Sequence, residues 1–153
     1  MRRRIIAVAA AAAAVGASLM AQPASADATY HSSHIALASQ SGDPLRSGFV
    51  QNIHPNGPIV FAHEVYVLNG ATPRTTYDVE LQLFPLDPSC AGAPVTVPSA
   101  SFTTNQAGNG RGDVFFSPAD AAGLRNGTHG IIWNVSDSSG VAYSTGCQVV
   151  TLD

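Results

Sequence analysis

In Thr75-Thr76-Tyr77-Asp78-Val79-Glu80-Leu81-Gln82-Leu83, apolar and polar residues alternate from Tyr77 onward, and this reading decides the fold class. Successive side chains of an extended chain point to opposite faces, so Tyr77, Val79, Leu81 and Leu83 share one face, and Asp78, Glu80 and Gln82 share the other. The pattern predicts a strand with one buried and one wet side. Before it, Pro58 to Leu68 is a β-branched and aromatic run bounded by Asn56-Gly57-Pro58 and Asn69-Gly70, which reads as a second strand. Pro85, Pro88 and Pro94 mark an irregular connection on the other side. Further strands are expected at about 30–38, 46–54, 95–104, 112–117, 129–136 and 141–151. Asn109-Gly110 reads as a hairpin between Phe102 and Val114, and Asp137-Ser138-Ser139-Gly140 as another between Trp133 and Tyr143. The helix-like fragment Pro118 to Leu124 is stopped by Gly123 and reads as a single turn.

About eight short strands with frequent turn signals predict an all-β chain, a single antiparallel immunoglobulin-like β-sandwich. Its core is expected to comprise Val65, Val67, Tyr77, Val79, Leu81, Leu83, Ile131, Trp133 and Val149, with Tyr66 and Phe115 facing outward. Ahead of this domain, Arg2-Arg3-Arg4, an apolar run from Ile5 to Met20 and the small residues Ala24-Ser25-Ala26 read as a cleaved signal peptide over 1–26. The apolar run is shorter than the ~20 residues a bilayer span needs, so no membrane insertion is expected after cleavage. The sandwich is then expected to occupy 27–153 and to be secreted to the extracellular space.

The remaining 127 residues contain four arginines, no lysine and ten acids, a formal charge of −6. A chain this acidic, with no cluster of basic residues, is expected to bind neither nucleic acid nor anionic membrane surfaces. Two cysteines in an exported chain, Cys90 and Cys147, read as one disulfide; they are too far apart in sequence for a Cys-x-x-Cys redox or metal motif.

Three stretches carry a resemblance. Leu68 to Val79 is similar to the loop and Thr-Tyr-x-Val strand of immunoglobulin-like and fibronectin-type domains. With Asn105 to Phe116 and Gly127-Thr128-His129-Gly130-Ile131, it resembles small exported sandwiches of actinomycetes, among them the enediyne-binding apoproteins of the neocarzinostatin type. Those apoproteins carry two short-range disulfides where this chain has a single long-range pair. The resemblance therefore implies the fold and carries over no functional residue.

Candidate chemistry is sparse. His31, His34, His54, His63 and His129 include no His-x-His, the spacing that puts two ligands on one strand face, so no metal site and no cofactor are expected. His63 shares a stripe with Phe61, Val65 and Val67 and reads as a core histidine. Arg111-Gly112-Asp113 spells an adhesion tripeptide but runs straight into a strand, so it reads as a turn glycine between charges. Asn134 reads as a solvent-facing strand residue. The only glutamates, Glu64 and Glu80, fall at solvent-facing positions by alternation; they would adjoin only if the 58–68 and 75–84 strands pair. No nucleophile elbow, His-Glu-x-x-His or phosphate loop is present. The expected function is that of a secreted non-catalytic sandwich that binds a protein, cell-wall or small-molecule partner. One alternative is a carrier of a small apolar ligand; the other is a small hydrolase using Glu64 and Glu80.

Overall fold

A computed structural model describes residues 31–54, 62–120, 123–124 and 127–152; the expected signal peptide at 1–26 lies outside them. Among the described residues ten strands form: β1 (His31–Ala36), β2 (Ala38–Ser39), β3 (Ser47–His54), β4 (Ala62–Asn69), β5 (Thr76–Phe84), β6 (Val95–Thr103), β7 (Gly110–Phe116), β8 (Gly127–Asp137), β9 (Gly140–Ser144) and β10 (Gln148–Leu152). They make two antiparallel sheets. The first runs β1-β3-β4-β7; the second runs β2-β9-β8-β5-β6, with β10 also paired to β8. The all-β sandwich read from the alternation is what forms.

The first strand divides between the sheets. β1 pairs β3 through Ala36↔Phe49, and buried Leu37 then carries the chain across so that Ala38 and Ser39 pair β9. The expected 141–151 strand also divides, here along one side of β8. Thr145-Gly146-Cys147 interrupts it, with Gly146 at a φ of +67°. The interruption shifts the alternation: Tyr143 faces Val135 in the core, but beyond the break Val150 packs inward and Val149 is 61% exposed. The expected core position for Val149 is thus corrected by one residue.

The hairpin at Asp137–Gly140 forms between β8 and β9, whereas the one expected at Asn109-Gly110 does not. β6 pairs β5 in the second sheet and β7 pairs β4 in the first, so residues 104–109 cross the sandwich. Asn105 organises that crossing: its Oδ1 accepts the amides of Ala107 and Asn109 at 2.9 and 3.0 Å. The turn is clamped to the other crossing, between β4 and β5, by Ala71 N–H to Gly108 O at 2.9 Å and Thr104 Oγ1–H to Thr72 O at 2.6 Å. A Cβ on Gly108 would lie 2.0 Å from Ala71 O, so this close approach requires glycine. Turn residues signal a reversal of the chain, but the sheet that the next strand joins is set by packing.

Tyr77, Val79, Leu81, Leu83, Ile131 and Trp133 are buried in the core as expected, joined by Tyr66, Leu68, Phe102, Val135 and Tyr143. Trp133 lies on β8, which is flanked by β5 on one side and by β9 and β10 on the other. On β4 the expected facing is reversed. Ala62, Glu64, Tyr66 and Leu68 point into the sandwich, while His63 and Val67 are only half-buried. Val65 is buried outside the central cluster, covered on the outer face by its neighbours in β3 and β7. The stripe that points in carries a tyrosine, a leucine and an acid; the stripe that points out carries two valines. Alternation alone ranks the second as the more apolar.

Cys90 and Cys147 form a disulfide with a Cα–Cα distance of 6.0 Å, joining the Pro-rich 85–94 connection to the residue before β10. Asp87 holds that connection in shape: Oδ1 accepts from Ser89, and Oδ2 accepts the amides of Ala91 and Gly92 at 2.9 and 2.7 Å. The bond passes directly over Gly130 of β8, where a Cβ would sit 2.5 Å from Cys90 Sγ. A disulfide of this kind is compatible with an extracellular protein.

Candidate functional site, a cleft between the sheets

Glu64 sits in the middle of β4, in register with Asn52 of β3 on one side and Val114 of β7 on the other. Only 2% of it is exposed, which corrects the solvent-facing position expected from alternation. A charge taken this far out of water needs hydrogen-bond donors, and the opposite sheet supplies one of them. Trp133 Nε1–H donates to Glu64 Oε2 at 2.9 Å across the sandwich. The Tyr66 hydroxyl donates to the same oxygen. Tyrosine has one hydroxyl proton, so the 2.5 Å contact between Tyr66 and Ser99 must be a donation from Ser99 to Tyr66. Ser99 belongs to β6 and reaches inward at a β-bulge, where the register with β5 shifts between Asp78 and Glu80. Trp133, Glu64, Tyr66 and Ser99 thus form one polar chain that ties the sheets together through the core.

Burial pushes the Glu64 carboxyl up to about 7, against the opposing pull of the hydrogen bonds from Tyr66 and then Trp133. The Tyr66 hydroxyl is pushed up as well, first by burial and then by the charge of Glu64. A carboxyl whose proton is held more tightly in the folded chain contributes stability only while protonated. The unfolded chain releases that proton near 4.5 and the folded chain near 7, so stability falls as pH rises through this window and is level above it. Relative to Glu64→Gln, the wild type is expected to lose about 3 kcal/mol between pH 4 and pH 8. Urea unfolding of both proteins across that range measures it; a constant difference would show a solvated carboxyl.

Beside this chain the sheets part to leave a cleft of about 410 Å³. The first sheet lines it with Asn52, Ala62, Glu64, Val114 and Phe116, and the second with Leu81, Leu83, Val97, Ile131 and Val150. Asp120 and Leu124 close one side. The Asp120 carboxyl, bonded to the Ser117 amide and hydroxyl at 2.7 and 2.8 Å, is held below its ordinary range by those bonds. The volume lies within the ~300–1,000 Å³ of small-molecule sites, and the walls are aliphatic and aromatic with few polar groups, as such sites are. One of those groups is incomplete. Asn52 is only 5% exposed, and its buried Oδ1 has no hydrogen-bond partner among the described residues. An unmet buried carbonyl costs about 1–3 kcal/mol, a cost that a bound donor would relieve.

The other residues singled out in the sequence are placed away from this point. Glu80 is exposed on the outer side of the second sheet. Because β4 and β5 belong to different sheets, the pairing on which a Glu64–Glu80 dyad depends is not formed. Asn134 does face outward but is buried between Glu80 and Ser144 of the flanking strands, correcting its expected exposure. His129 is fully engaged. Its Nδ1 accepts the Leu86 amide at 3.1 Å, so Nε2 carries the proton donated to Leu124 O at 2.7 Å, and the ring joins two loops. His63 is not a core histidine: it stacks on exposed Phe115 at 4.0 Å on the outer face of the first sheet, with Nε2 3.4 Å from Asp113 Oδ2. Among the described residues no group of three His, Cys, Asp or Glu is placed to hold a metal ion. Arg111-Gly112-Asp113 lies inside β7, paired to β4, and Gly112 is there because the Phe102 ring packs on its Cα; a Cβ would meet that ring at 2.6 Å.

Sequence reasoning missed Asn52, Ser99 and Tyr66 as members of the site. The available signal was an acid and a tyrosine two residues apart, Glu64 and Tyr66, which share whichever face they take. No protein-family model, no curated protein and no solved structure matches this chain.

Proposed function

We propose that this chain is an extracellular, non-catalytic binding protein that holds one small, largely apolar molecule in the cleft between its sheets. The observation that carries the reading is the cleft itself: an aliphatic space of ligand size that ends on a buried polar group lacking a partner. The disulfide and the leader read from the sequence support secretion. The first strand divided between two sheets fits an immunoglobulin-like frame. The hydrogen bonds from Tyr66 and Trp133 to Glu64 Oε2 fix the carboxyl in place, which supports a binding rather than a catalytic role for the cleft. Protein recovered from its producer's medium is expected to show one small-molecule adduct per chain in native mass spectrometry. The stripped protein is expected to bind the neutral dye N-phenyl-1-naphthylamine saturably, and Val97→Trp, which fills the cleft from an edge strand, should remove that binding. No adduct and no saturable dye uptake would overturn the reading.

The outer face of the first sheet favours a second reading, recognition of a cell-wall or protein partner. Phe115 is 59% exposed there and stacks on His63, while Phe49 packs at 4.1 Å against His34. Co-sedimentation with the producer's cell wall that is lost in Phe115→Asp and kept in Val97→Trp would establish it.

A further inference from the structure

The polar end of the cleft presents two acceptors, the Glu64 carboxyl and the Asn52 side-chain carbonyl. Tyr66 O–H and Trp133 Nε1–H, the two donors that reach Glu64 among the described residues, are both spent on its Oε2. What remains facing the space is the Glu64 carboxyl and, in register beside it on β3, Asn52 with its unpartnered Oδ1. Asp120 adds a second carboxylate at the side of the cleft, and among the described residues no Arg or Lys lines it. A carboxylic acid or phosphate placed here would face two like charges. A hydrocarbon would leave Asn52 unmet and gain nothing from Glu64. An ammonium group satisfies both, since it carries several N–H donors and a charge opposite to that of a desolvated carboxylate.

We propose that the molecule held in the cleft is an apolar amine, its carbon skeleton between the sheets and its N–H groups donated to Asn52 Oδ1 and to the Glu64 carboxylate. This rests on the reading of the cleft as a small-molecule site and specifies its ligand class. Binding is coupled to ionisation of Glu64. The cation favours the carboxylate form, so below Glu64's value of about 7 each amine bound displaces a proton, and affinity rises with pH until Glu64 is fully ionised. The other titratable groups at the cleft among the described residues keep their state across this range: Tyr66 is pushed up and stays protonated, and Asp120 is held down and stays ionised.

Three probes sharing one ring system separate the amine claim from the cleft claim: 1-naphthylmethylamine, 1-methylnaphthalene and 1-naphthoate, titrated calorimetrically into the full mature protein. The amine is expected to bind at least tenfold more tightly than the hydrocarbon at pH 8, with naphthoate weakest. Its affinity should fall about tenfold from pH 8 to pH 6 while that of the hydrocarbon stays level. Glu64→Gln should abolish both the preference and the pH dependence and leave hydrocarbon binding intact. Should that variant fail to fold, the wild-type pH profile with the three probes decides the matter alone. Equal binding of amine and hydrocarbon, or a preference for naphthoate, would overturn the amine while the cleft reading stands; failure of all three to bind would overturn both.

Discussion

Trp133→Ala is expected to leave the chain unfolded or nearly so at 25 °C. The indole is fully buried on β8, and its removal opens a cavity that costs about 3–5 kcal/mol in comparable cores. The same substitution takes from Glu64 the donor that crosses the sandwich, leaving Tyr66 as its remaining partner, and losing a bond to a buried charged group adds about 1.5–3 kcal/mol. Against a typical stability of roughly 5–15 kcal/mol, the sum is most or all of what holds the domain together. Far-UV circular dichroism in urea measures it, because Trp133 is the only tryptophan and its fluorescence leaves with it. Trp133→Phe separates the two contributions. It keeps an aromatic ring in the core while losing the N–H and part of the volume, so it should fold, and the Glu64 carboxyl should titrate higher than in the wild type. A Trp133→Ala protein with an unchanged urea midpoint would refute the packing described. In the wild type the emission of Trp133 should be blue-shifted and move red on unfolding.

Removing the disulfide is the second large effect. Cys90 and Cys147 are 57 positions apart, and on the chain-entropy model closing a loop of that length is worth about 4 kcal/mol. Cys90→Ala with Cys147→Ala should therefore lower the melting temperature by on the order of 15 °C, read by calorimetry under non-reducing conditions. The sheet signal should survive, because the bond ties the 85–94 connection to the start of β10 and neither is part of the central pairing of β5 with β8. Titration of the native protein with a thiol reagent should find no free cysteine, and two reactive thiols would remove the basis for the effect.

Strand identity was legible because it is local. Tyr77 to Leu83 alternates without a break, and the β5 that forms buries the four residues that the pattern picks out. The Asp137–Gly140 reversal was legible for the same reason: turn chemistry sits within four residues, and β8 and β9 pair directly across it. The disulfide followed from counting two cysteines in a chain read as exported. Each of these depends on the residue's neighbours in sequence or on composition alone.

Which face of β4 turns inward, and which sheet receives β7, depended on residues far away in the chain. Both stripes of β4 are apolar enough to be buried. The stripe with Glu64 and Tyr66 wins because Trp133, 69 residues beyond Glu64, and Ser99, 33 beyond Tyr66, stand opposite as their hydrogen-bond partners and make a buried acid tolerable. The parity of the final strands hangs on three residues, Thr145 to Cys147, that interrupt the chain while it remains alongside β8. The cleft follows from the same arrangement, since Asn52 borders it only because β3 lies in register with an inward-facing Glu64. Alternation, turns and cysteine count are properties of the chain, and they were enough for the all-β class, the buried face of β5 and the single crosslink. The tertiary structure alone decided the site, because burying a charge is favourable only where distant parts of the chain bring it hydrogen-bond donors.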